Sequence, residues 1–165
     1  MPTFSQTVLS DDRIKATPEE VWAVLVDPVM LAKLTPLVDT ITVEGERWTW
    51  RLTTVNGLGL TAAPEFTTVM RLGEGRRIDF EPDPQSGERA TAKGFLTVDV
   101  DGDETILAID VTASVDLPLP RMMSKPVRSI MFSTMKAGGS RFARNLLRHL
   151  GNPSHRGLDV RGVTL

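Results

Sequence analysis

The chain has 165 residues and a mass of 18.1 kDa, the length of one domain able to bury roughly 70% of its unfolded surface without staples. Apolar residues make up 41% and charged residues 24%, which excludes a disordered chain. There is no cysteine, no tyrosine and only two histidines, His149 and His155. Disulfides, thiolate chemistry and cysteine-ligated zinc are therefore excluded, and few side chains remain that exchange protons near pH 7.

No apolar run approaches the 18 or more residues of a membrane span. The first residues, MPTFSQTVLSDDRIK, lack a basic stretch followed by an apolar one, so no secretory signal is read and a cytoplasmic protein is expected. The net charge of -2 is unevenly spread. Residues 1–120 carry 10 Lys+Arg against 20 Asp+Glu, whereas residues 121–150 carry seven cations and no acid.

In chain order, residues 4–16 read as a strand with Phe4, Val8, Ile14 and Ala16 on one face, and Asp11-Asp12 marking a bulge or an edge. Thr17-Pro18-Glu19-Glu20 is a capping box with proline at the first helical position, opening a helix to about Val26. Asp27-Pro28 starts a second short helix, which Thr35-Pro36 ends.

From 38 to 117 the period becomes two. Six strands are read, at about 38–44, 46–55, 59–71, 76–81, 89–100 and 104–117. Trp48, Trp50 and Leu52 alternate with Thr49, Arg51 and Thr53, and Leu107, Ile109, Val111, Ala113 and Val115 alternate with Ala108, Asp110, Thr112 and Ser114. Clean alternation gives one buried face and one wet face, hence an antiparallel sheet. Glu44-Gly45-Glu46, Asn56-Gly57, Gly73-Glu74-Gly75, Asp83–Gly87 and Asp101-Gly102-Asp103 supply short turns, so the six strands form a meander.

Pro118 and Pro120 end the sheet, and 121–150 reads as a long helix. Met123, Val127, Ile130, Met131 and Met135 share one face; Phe142, Ala143, Leu146, Leu147 and Leu150 form a second apolar set rotated by more than a quarter turn. Gly138-Gly139, between the two sets, calls for a bend or a close contact, because each glycine costs about 1 kcal/mol in a helix. Gly151-Asn152-Pro153 stops the helix, and 151–165 is expected to be a loose tail after a domain of residues 1–150.

A strand, two short helices, a six-stranded meander and a long last helix resemble the START/Bet v 1-like superfamily (SRPBCC, helix-grip fold), in its polyketide cyclase/dehydrase-like branch. The resemblance rests on Ile14–Leu25, on Asp27-Pro28, Leu31 and Leu34-Thr35-Pro36, and loosely on Gly94 and Leu96. It implies an α+β fold: a curved seven-stranded antiparallel sheet whose long C-terminal helix covers an apolar cavity. It does not imply one reaction, since enzymes, carriers and partner-binding modules share the fold.

On that frame, ligand contacts are expected from the inner sheet face at Trp48, Trp50, Leu52, Phe66, Phe80 and Leu96, and from the covering helix at Met123, Val127, Met131 and Met135. Core packing is the plainer reading of each tryptophan; for Met122, Met123, Met131 and Met135, which cluster on the lid, core packing and ligand contact stand level, because methionine adapts to varied ligands. His149 and His155 fall at the helix end and in the tail, away from the cavity. Glu65 is the weak catalytic candidate. The facing of strand 59–71 is ambiguous, and a buried glutamate would have a raised pKa and could serve as a base. No metal site is read: Asp99, Asp101, Asp103 and Glu104 resemble half a calcium loop but are better explained by a β-turn. Asn56–Gly59 lacks the lysine and helix of a phosphate loop. No cofactor is expected.

Arg121, Lys125, Arg128 and Lys136 fall on one side of a helical wheel, and Arg141, Arg144 and Arg148 form a second cluster on the opposite side. A solvated face is the plain reading; an anionic membrane or an acidic protein at Arg141, Arg144 and Arg148 is the functional one. Nucleic acid is not expected, because no exposed aromatics interleave the cations and the body is acidic. The leading expectation is a non-catalytic binding or carrier protein for an apolar small molecule or lipid. The alternatives are a cyclase, dehydratase or hydrolase acting on a hydrophobic substrate, and an interaction protein using the basic helix.

Overall fold

The computed structural model describes residues 1–151 and, as backbone only, a strand at 159–163. His155 and most of the expected tail lie outside the described residues. In chain order the elements are β1 (Thr3–Ile14), α1 (Pro18–Leu25), α2 (Pro28–Leu34), β2 (Val38–Glu44), β3 (Arg47–Leu52), β4 (Val55–Gly57), β5 (Leu60–Ala62), β6 (Glu65–Gly73), β7 (Arg77–Pro82), β8 (Ala90–Asp101), β9 (Glu104–Asp116), α3 (Ser124–His149) and β10 (Asp159–Val163).

Seven antiparallel strands form the expected sheet, in the spatial order β1-β9-β8-β7-β6-β3-β2. The chain meanders from β2 to β9, and β1 closes the far side by pairing along its whole length with β9. That register runs without a shift, so Asp11-Asp12 make no bulge. Within the expected tail, Asp159–Val163 pairs with β1 as an eighth strand, Thr7 opposite Val163 and Asp11 opposite Asp159. Pairing satisfies backbone groups that β1 would otherwise leave at an edge.

Sequence and structure part over residues 53–64. The expected strands 46–55 and 59–71 are each interrupted, and β4 and β5 form a separate hairpin that pairs only with itself. Its turn is Leu58-Gly59, not Asn56-Gly57: Leu58 has φ 52 and Gly59 φ 77, the paired left-handed conformation of a two-residue hairpin. The neck is tied where Leu52 N–H donates to Pro64 O at 2.9 Å and Thr53 N–H to Leu37 O at 2.7 Å.

The helix starts follow local chemistry. Thr17 accepts from Glu20 N–H at 3.2 Å while Glu20 accepts from Thr17 N–H at 2.8 Å, which satisfies two donors of α1 reciprocally. Asp27 accepts from Val29 and Met30 N–H, both at 3.1 Å, and caps α2. The C-terminal helix is continuous through Gly138-Gly139, but residues 121–123 form a 3₁₀ turn ahead of it. Pro126 sits in its first turn, where a missing N–H costs nothing.

The halves of α3 do different work. Phe142, Leu146 and Leu147 pack into the core with Val21, Val24 and Leu25 of α1, Ile14 of β1, Ile78 of β7, Val98 of β8 and Leu107 of β9. That core closes one end of the molecule. The N-terminal half of α3, rotated in its apolar face, spans the other end above the sheet.

Candidate ligand cavity

Between the inner sheet face and the first half of α3 lies a cavity of about 500 Å³, partly open to solvent. That volume is within the roughly 300–1,000 Å³ range of small-molecule sites. Its floor is built by strand alternation. Trp50 and Leu52 of β3, Phe66, Thr68 and Met70 of β6, Phe80 of β7, Leu96 of β8 and Ile109, Val111 and Ala113 of β9 all point inward. Its roof is built by helical spacing: Val127, Ile130, Met131, Thr134, Met135, Gly138, Gly139 and Phe142 fall at the three- and four-residue intervals of one face. The β4–β5 hairpin makes a side wall; a Cβ at Gly57 would lie 3.7 Å from Ile130.

Eight of the ten residues expected to touch a ligand line this cavity: Trp50, Leu52, Phe66, Phe80, Leu96, Val127, Met131 and Met135. Two do not. Trp48 shares the inward face but lies two residues, about 6.6 Å, farther along β3; it is 4% exposed within the closed core, its ring 6.2 Å from that of Trp50. Met123 belongs to the 3₁₀ turn, whose three-residue period carries it off the face that α3 presents. Met122 in the same turn is 85% exposed. The methionine cluster therefore divides, and only Met131 and Met135 face the cavity.

Glu65 is corrected as well. In β6 the inward set is Phe66, Thr68 and Met70, so Glu65 faces outward, where Arg51 Nε donates to it at 2.9 Å. Register explains the choice: Trp50 stands opposite Phe66 and Arg51 opposite Glu65, so a slip of one residue would bury the ion pair and expose both aromatics. His149 is exposed at the end of α3.

Among the described residues no Asp, Glu, His, Lys or Arg lines the cavity. Its polar groups are hydroxyls and an indole. Trp50 Nε1–H donates to Thr68 Oγ1 at 2.9 Å, and the Trp50 ring stacks on Phe66 at 6.1 Å between centroids and 9° between planes. Two buried carboxylates lie elsewhere: Asp83 pairs with Arg47 and accepts from Gln85 N–H at 3.0 Å, and Asp12 sits on β1. Among the described residues no three His, Asp or Glu side chains are placed to hold a metal ion, and no helix is long and apolar enough to cross a membrane.

A smaller concave surface adjoins the cavity. Arg141, Arg144, Asn145 and Arg148 of α3 line it with Pro36, which also lines the large cavity. Asn145 Nδ2–H donates to Leu34 O at 2.9 Å and ties the end of α2 to α3 there.

A curved antiparallel sheet gripping one long helix around an apolar cavity defines the START/SRPBCC class of helix-grip proteins. Residues 1–147 match the family described as polyketide cyclase/dehydrase and lipid transport, and the chain belongs to it. The fold is shared with a conserved protein from Geobacillus kaustophilus, at a TM-score of 0.66 and 16% identity over 91% of this chain and 97% of that one. A START superfamily protein from Mycobacterium smegmatis superposes at 0.64 with 16% identity, over 88% of this chain and 97% of its own. The Zhui aromatase/cyclase from Streptomyces sp. R1128 also superposes at 0.64 with 16% identity, over 89% and 94%. At such identities these likenesses establish the fold alone. Among curated proteins no sequence match was found.

Proposed function

We propose that this protein is a non-catalytic binding or carrier protein for an apolar small molecule or lipid held in the 500 Å³ cavity. One observation carries the reading: the cavity is large enough for a ligand and, among the described residues, its lining contains no ionisable side chain. Burying apolar ligand surface there gains roughly 25 cal/mol per Å² before the costs of association. The indole–threonine pair and the Thr134 hydroxyl offer limited polar contact for orientation. The eight expected residues that line the cavity are the proposed ligand contacts.

A cyclase or dehydratase needs a group that takes or gives a proton in reach of the substrate. Hydroxyls with no adjacent base serve that role poorly, so binding is favoured over catalysis.

Native mass spectrometry of the gently purified protein, followed by organic extraction and identification of bound molecules, tests the proposal. The expected result is a 1:1 adduct with an apolar compound, or uptake of one equivalent from a supplied lipid mixture. A protein that stays ligand-free and takes up nothing would overturn it.

A further inference from the structure

Resting on that reading, we propose that the ligand is an amphiphilic anion whose charged end is held by Arg141, Arg144 and Arg148 while its apolar part fills the cavity. The juxtaposition that carries this is Pro36, one wall of which bounds the apolar cavity and the other the arginine-lined cleft. On α3, Gly138 and Phe142 face the cavity; Arg141 and Asn145 each follow three residues later, a rise of about 4.5 Å, and face the cleft. Asn145, beside the arginines on α3, donates to Leu34 O two residues before Pro36 and so ties the two walls of the cleft together.

Charge supplies the second argument. The three arginines stand at i, i+3 and i+7, stacked along one helix face, and all are exposed. Like charges at such spacings repel, and residues 121–150 contain no acid to relieve them. Among the described residues none of the three has an ion-pair or hydrogen-bond partner. Arg148 lies in the last turn, where the helix dipole favours a cation, but Arg141 and Arg144 lie farther in, beyond the reach of that effect. A bound carboxylate or phosphate removes the repulsion and matches the guanidinium fork, which takes such groups in bidentate fashion. The described lining of the cavity carries no charge, so an anionic end is disfavoured there and the cleft is the adjoining place that receives one.

The test compares a fluorescent conjugated-polyene fatty acid with its methyl ester, two probes of the same tail that differ in charge. Full-length protein is expected to bind the acid at least tenfold more tightly than the ester. Raising salt should weaken acid binding and leave ester binding unchanged. The triple variant Arg141→Gln/Arg144→Gln/Arg148→Gln, which loses only exposed like charges, should bind both probes at the affinity of the ester. Equal binding of acid and ester by the unmodified protein, or a triple variant that keeps the preference, overturns this inference and leaves the cavity reading standing. Failure to bind either probe overturns both. Retention on phosphatidylglycerol vesicles that depends on the arginines, with no preference for the monomeric acid, assigns the cluster to a membrane and also overturns it.

Discussion

Trp50 donates its indole N–H to the Thr68 hydroxyl at 2.9 Å across the β3–β6 pair, and both side chains line the cavity. The bond holds the largest ring of the cavity wall in one orientation, flat against Phe66. Thr68→Val keeps the shape but removes the acceptor and leaves the indole N–H unpaired in an apolar wall. A loss of about 1–3 kcal/mol is expected in denaturant unfolding, with a shift in tryptophan emission. An unchanged unfolding midpoint would show that the bond contributes nothing.

Gly94 has no room for a side chain. It has φ 152, and a Cβ there would lie 1.9 Å from the Asp110 carbonyl oxygen of β9. The β8–β9 pair would have to separate to admit a methyl group. Gly94→Ala is expected to cost on the order of 3 kcal/mol or more and to give little folded protein. A variant with a native melting temperature would contradict the close approach.

Gly138 makes the opposite prediction. It lies on the cavity face of α3, and a Cβ there meets no atom within 4 Å. Gly138→Ala should stabilise the helix by about 1 kcal/mol. Gly138→Leu should fold as well but reduce uptake of an apolar probe at least tenfold by filling the cavity. Loss of probe binding with an unchanged fold, seen by circular dichroism, checks it; full binding in the leucine variant would place the ligand elsewhere.

On the outer face, Arg77 donates to Asp79 through Nε at 3.0 Å and Nη2 at 2.9 Å while its guanidinium lies 4.2 Å from the Phe95 ring centroid. The hydrogen bonds from Arg77, with its charge, hold the Asp79 carboxyl below its ordinary value of 3.8. A depressed folded-state pKa stabilises the fold above the unfolded value and loses that contribution as pH falls through the folded value. Carboxyl-detected NMR titration should therefore place Asp79 below an ordinary aspartate, and Arg77→Leu should return it upward. Both groups are exposed, so the effect on overall stability at neutral pH is expected to be small.

Much of this architecture is legible in the sequence because local chemistry and tertiary packing agree there. Thr17–Glu20 forms its capping box, and β9 places Leu107 through Val115 inward in strict alternation. The quarter-turn rotation between the two apolar sets of α3 corresponds to the change from cavity roof to core plug. The errors arise where periodicity carries no information about depth or partner. Trp48 and Trp50 have the same parity, and only the position of the core along β3 separates them. Strand 59–71 is apolar on both faces, so the direction of Glu65 depends on its pairing with Arg51. The β4–β5 hairpin is missed because Leu60, Ala62 and Pro64 share the parity of Phe66, Thr68 and Met70, so that residues 59–71 read as one strand. The pairing of Asp159–Val163 with β1 is too short and polar to announce itself.

The central claim is that an apolar molecule occupies the space beneath the first half of α3. Methyl-detected NMR during titration with an uncharged apolar probe reports this residue by residue. Methyl groups of Ile109, Val127, Ile130, Met131 and Met135 should shift together and saturate at one equivalent, while those of Ile14, Leu146 and Leu147 in the closed core should stay in place. Shifts confined to exposed Val29, Leu72 and Val100, or no saturable shift, would contradict it.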